Sequence, residues 1–170
     1  PCNESVYIKV SSMLRKSRLP TFIIPGDNEW NDCTDPNLGW KYWVKHFRNF
    51  DTHWKYEFGV NRQKERQENF SFNLNGALFI GINLVGGRIH DAADWKMRHA
   101  QNMAWVKSTC QANQTKFHAI VLLGHAHPTA AHDDFFKPLV TFVETLKLPV
   151  LYLHGDGHRW IKDTPFETDF

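Results

Sequence analysis

Hydrophobic residues in this chain gather into short runs that stop at chemically active polar residues. Thr21 to Pro25 gives way to Gly26-Asp27-Asn28-Glu29, and Ala77 to Ile82 gives way to Asn83. Ala119 to Leu123 leads into Gly124-His125-Ala126-His127, and Val150 to Leu153 into His154-Gly155-Asp156-Gly157-His158. Short β-branched and aromatic runs closed by Gly or Pro predict strands. Phe70 to Leu74 alternates with period two, and the following Asn75-Gly76 predicts a two-residue hairpin turn into the Ala77 run. The uninterrupted apolar residues of Phe117 to Leu123 predict a strand buried on both faces.

Helical spacing fills the intervals. Val6 to Arg18 carries Val6, Val10, Met13 and Leu14 on one side. Asp94 to Cys110 offers Trp95, Met97, Met103, Trp105 and Val106 as a buried face, and Trp40 to Phe50 predicts a shorter helix. Phe135 to Leu146 reads as a helix if Pro138 sits in its first turn. Arg159 to Phe170 is expected to add a short last strand. Helices alternating with strands predict a layered α/β fold, a sheet with flanking helices, in a single domain spanning residues 1–170.

Between Asn31 and Asn75 the pattern weakens, and Trp30, Trp40, Trp43, Phe47, Phe50, Trp54, Tyr56 and Phe58 are scattered among charges. Aromatic anchors packing a surface excursion are the expected reading, because each ring buries a large area. A stacking surface for a ligand is the alternative.

Composition narrows the function classes. The 170 residues suit one core, and 20 basic against 18 acidic residues leave no field that marks a general nucleic-acid binder. No run approaches the roughly 18 to 20 apolar residues that span a bilayer. The three cysteines, Cys2, Cys33 and Cys110, lack a CxxC spacing and so do not predict a zinc knuckle. A Cys2 to Cys33 disulfide, with Asn-x-Ser/Thr sequons at Asn3, Asn69 and Asn113, fits an extracellular or secretory location. The chain opens on Pro1-Cys2-Asn3 without a Met, which leads us to expect a preceding segment.

The polar ends of the runs carry the chemistry. Asp156 and His158 lie two apart on a glycine-flanked turn, and a carboxylate with an imidazole suits Mn, Fe or Zn. His125 comes directly off a strand end and is the preferred ligand of its pair; His127 also reads as a hydrogen-bonding loop histidine. Asp27 follows a strand and a glycine, where backbone can approach an ion closely, although Asp27 or Asn28 could instead cap a helix. His132-Asp133-Asp134 reads as a solvated turn and helix cap.

In order and strand context these blocks resemble the calcineurin-like metallophosphoesterases. Gly26-Asp27-Asn28-Glu29 is similar to that family's Gly-Asn-His-Glu/Asp block, with Asp27 in the metal-binding position and Asn28 in the catalytic one. Gly124-His125 is similar to its lone-His block, and Gly155-Asp156-Gly157-His158 to its Gly-His-x-His block with the first His replaced. The resemblance implies divalent metal ions (Mn, Fe or Zn), two in the complete domain, and a phosphoester substrate attacked by a metal-activated water. Asp27, His125 and Asp156 would serve one ion and His158 the other. Asn28 stands in the family's catalytic position but removes its proton donor, and His127, His154 or His132 could take over proton donation, so Asn28 and His127 are the catalytic candidates.

The family's two leading blocks, Asp-x-His and Gly-Asp-x-x-Asp, have no counterpart in Pro1 to Ile24, which contains neither Asp nor His. The resemblance therefore implies a partial domain whose N-terminal strands are missing. A secreted non-catalytic module that keeps the same fold and uses its Trp-rich surface from Trp30 to Trp54 for binding is the competing expectation, and a purely structural metal site a third.

Overall fold

The structure is a computed structural model that describes residues 2–166. Helix α1, Glu4–Leu14, starts at Asn3, whose side chain accepts a hydrogen bond from the Ser5 amide at 3.0 Å. Helix α2, Pro36–Phe47, starts at Asp35 with proline in its first turn, the position where a missing N–H costs nothing. Its early start, relative to Trp40, follows from that cap. Tyr7, Trp43, Phe47 and Phe50 bury one another between α1, α2 and the turn that follows.

The sheet has five strands in sequence order: β1 Val60–Arg62, β2 Phe70–Leu74, β3 Ala77–Gly81, β4 Ala119–Leu123 and β5 Val150–Leu153. β1, β2 and β3 pair antiparallel, whereas β3, β4 and β5 pair parallel. Asn75 and Gly76 adopt positive φ at 52° and 79°, and so make the tight turn that the Asn-Gly pair predicts. Helix α3, Ala92–Ala112, connects β3 to β4, and α4, Asp133–Leu146, connects β4 to β5. Parallel pairing requires such crossovers.

The two faces of the sheet are covered differently. Leu78, Ile80, Ile120 and Leu122 point toward α3 and α4, where they meet Met103, Val106, Phe135, Phe136 and Leu139. On the other face Phe72 stacks on Phe79 at 4.9 Å between ring centroids, and Phe22 lies over Phe70 and Phe72. β4 accordingly buries Ile120 and Leu122 fully, while Ala119, Val121 and Leu123 are half-buried. Its outer face is less covered than the uninterrupted run predicts.

Several expectations are corrected. Thr21 to Pro25 is not a strand: it runs over the aromatic face and is held by the Phe22 ring rather than by a backbone ladder. β1 falls in the weakly patterned stretch, where three residues are too few to show a period. Pro138 sits in the second turn of α4, because a 3-10 turn at Ala130–His132 feeds directly into a helix that begins at Asp133. Burial of Phe135, Phe136 and Leu139 offsets the lost hydrogen bond. Residues 159–166 form no strand, and the remainder of the expected tail strand lies outside the described residues. Met97 is 51% exposed, while α3 buries Arg98, His99, Asn102 and Thr109 alongside Trp95, Met103 and Val106.

The tryptophan-rich stretch packs largely on itself. Trp30 and Trp43 are buried, and Trp40 stacks flat on Trp43 at 5.1 Å. Cys2 and Cys33 form a disulfide that joins the start of α1 to the loop before α2, and Cys110 is a buried free thiol. No helix of the described residues is long and apolar enough to cross a membrane.

Candidate metal centre

Parallel strands deliver the ligands. β4 and β5 pair with Leu123 opposite Leu153, so the segments leaving them start level with one another at the sheet's carboxyl edge. The Leu84 carbonyl accepts from the His125 amide at 2.9 Å and from the Ala126 amide at 2.8 Å, fixing the turn after β4. The His125 carbonyl in turn accepts from the amides of Gly155 and Asp156, at 3.2 and 3.1 Å. That double contact ties the His125 and Asp156 loops together.

Asp27 arrives on a separate segment, ahead of the sheet in sequence. It opens a single π-helical turn, Asp27–Asn31, whose preceding Gly26 amide donates to the Glu29 carboxylate. A Cβ on Gly26 would lie 3.1 Å from the His125 ring, so the glycine lets this turn approach the histidine. Asn31 and Asp32 then hold the loop after β3: the Arg88 amide donates to Asp32 at 3.0 Å, and Asn31 donates to the Arg88 carbonyl at 2.8 Å.

Asp27, His125 and Asp156 each place one ligand atom within 4.8 Å of the others. His125 Nε2 stands 3.6 Å from Asp27 Oδ1, too far for a hydrogen bond, and that oxygen is buried without a partner. Asp156 lies against the α-carbon of Gly86, where any side chain would collide with its carboxylate. Two carboxylates and an imidazole converging with an unsatisfied buried oxygen are a donor set suited to a divalent cation. His125 Nδ1 receives a long 3.4 Å contact from the Gly86 amide. Ligation through Nε2 would put the ring proton on Nδ1, so that contact would be given up on binding.

The other sequence candidates lie elsewhere. His158, at positive φ, and Asn28 are both exposed and outside the cluster. His127 is half-buried and faces His154, with ring centroids 5.0 Å apart. Burial, then the neighbouring His127, hold His154 below the usual histidine range. His132 is not a solvated cap: it is 3% exposed, stacks on Trp95 and meets His99 at 3.2 Å. Burial pushes both His132 and His99 down to about 4, and each also feels a neighbouring positive group.

Sequence reasoning misses Gly86, and only the Gly86-Gly87 pair after a buried run hints at it. No protein family, curated protein or solved structure matches the chain.

Proposed function

We propose that this chain belongs to a metal-dependent hydrolase of phosphoesters, with Asp27, His125 and Asp156 holding a divalent ion. The observation that carries the reading is the meeting of those three donors at the carboxyl edge of a parallel sheet, beside the orphaned Asp27 oxygen. A bound ion supplies Lewis-acid polarisation of a phosphoryl oxygen and lowers the pKa of a water. Asn28, which stands where the resemblance puts the catalytic histidine, lies outside the cluster, and its amide has no acidic proton to give a leaving group. Nitrophenyl esters are therefore the favoured substrates, because their leaving groups need little protonation.

Calorimetric titration with Mn²⁺ and Zn²⁺ tests the core of the proposal. Saturable binding that is lost in Asp156→Ala, followed by metal-dependent release of nitrophenolate from a mono- or diester, supports it. Absence of metal binding overturns it.

A second reading, a secreted non-catalytic module, draws on a different observation. Among the described residues a single group of three or more metal-ligand side chains comes together, with His158 and Asn28 outside it. The disulfide is compatible with secretion. Metal binding without turnover of activated esters over a broad pH range favours this reading.

A further inference from the structure

His127 and His154 stand on the loops that leave β4 and β5, and the mechanism above leaves both unassigned. Their rings are 5.0 Å apart between centroids and inclined at 54°. Each carries an Nδ1 that is buried and has no hydrogen-bond partner. Buried polar atoms are nearly always paired, so two adjacent orphans of one chemical kind call for a shared ligand. A stack alone does not supply one. The His154 ring already lies on Tyr152, at 5.4 Å and 23°, while the Tyr152 hydroxyl is committed to the Ala126 carbonyl at 2.7 Å.

We propose that His127 and His154 form a second cation site, taking a late first-row divalent metal such as Zn²⁺ through their two Nδ1 atoms. Two imidazoles bound to one ion at about 2.0–2.1 Å and near the tetrahedral angle stand roughly 5 Å apart between centroids. The observed spacing meets that requirement. Imidazole pairs favour Zn, Cu and Ni over Mg or Ca, which separates this site from the carboxylate-rich centre at Asp27 and Asp156. His154 and Asp163 line one cavity of about 990 Å³, open to solvent and bordered by Pro128 and Tyr152. Among the described residues no third Asp, Glu, His or Cys joins the pair within ligand distance, so water would complete the coordination of an ion held there.

The site stands independently of the phosphoesterase reading, and the test separates them. Equilibrium dialysis of the chain with Zn²⁺ is expected to give two equivalents. His127→Phe and His154→Phe should each leave one, because phenylalanine keeps the ring packing and removes the nitrogens. Asp156→Ala should also leave one, the equivalent held by the histidine pair. Long-range ¹⁵N–¹H spectra of the unmodified chain provide a readout free of substitutions: zinc should shift the Nδ1 resonances of His127 and His154. One equivalent that is lost in Asp156→Ala and untouched by both phenylalanine variants overturns the second site and leaves the first standing. One equivalent lost in the phenylalanine variants alone upholds the pair and removes the first centre. Unmoved Nδ1 resonances at saturating zinc overturn the pair outright.

Discussion

At Gly86 the absence of a side chain is what lets the Asp156 carboxylate reach Asp27 and His125. Gly86→Ala should therefore lower affinity for Mn²⁺ or Zn²⁺ by at least about tenfold, in the range of lost supporting contacts around metal ligands. Its thermal midpoint should move little, since the added methyl presses on a short polar side chain rather than on the core. Calorimetry and a melting curve on the same sample check both halves. Asn69 makes a contrasting case. It is fully buried, donates to Gln63 and Asn102 at 2.6 and 2.8 Å, and accepts from the Asn83 amide at 2.7 Å. A glycan at this sequon is incompatible with the fold. Expression in a glycosylating host should give peptides unmodified at Asn69 by mass spectrometry. Asn69→Ala should cost about 2 kcal/mol or more by denaturant titration, because it leaves buried partners unsatisfied.

The packing of α3 against the start of α4 sets an acid limit. His99 and His132 meet there, edge to face with and stacked on Trp95 respectively, and both titrate near 4 in the folded chain against about 6.5 when unfolded. The unfolded chain binds more protons between those values, so stability is fully present above about pH 6.5 and falls as pH drops toward 4. Arg98, which lies over both Trp30 and Trp95, adds positive charge nearby, and Asp134 and Asp156 oppose it. Melting temperatures from pH 7.5 to 4.5 should decline across that window, and His132→Phe should flatten the decline. The disulfide acts at another junction. It closes a loop with a sequence separation of 31 between α1 and the approach to α2, and on the chain-entropy account contributes about 3 to 4 kcal/mol. Adding a reductant should shift the denaturant midpoint accordingly.

For the molecule as a whole, the layered α/β character and its parallel half are legible in the runs themselves, because β3, β4 and β5 are short, apolar and separated by helical intervals. The hairpin was readable because Asn75-Gly76 has few alternatives to a tight turn. Thr21 to Pro25 was not, since its residue types fit a strand equally well whether or not a neighbour is present to pair with. Nor was the buried face of α3 legible, because Arg98, His99, Asn102 and Thr109 interrupt the apolar spacing while packing inward. Within the site, Asp27, His125 and Asp156 could be picked out by residue type at run ends, and the structure brings these three together. Asn28 and His158 fit the same logic in sequence, yet side-chain direction within a glycine-rich turn is set by local φ and ψ, which composition does not encode. β5 has no partner beyond β4 among the described residues, and Leu151 and Leu153 are half exposed on it. Such an edge invites pairing between chains, so Leu153→Lys should lower self-association measured by sedimentation velocity at raised concentration.

The paired amides of Gly155 and Asp156 on the His125 carbonyl also have a kinetic meaning. Loop amides ordinarily exchange their hydrogens with solvent quickly, but these two are clamped to the loop that leaves β4 and should exchange slowly even without an ion. If the proposed centre holds a cation, its grip is rigid in advance: capture would freeze little further motion, because the entropy that a floppy loop would surrender at that moment has already been given up during folding.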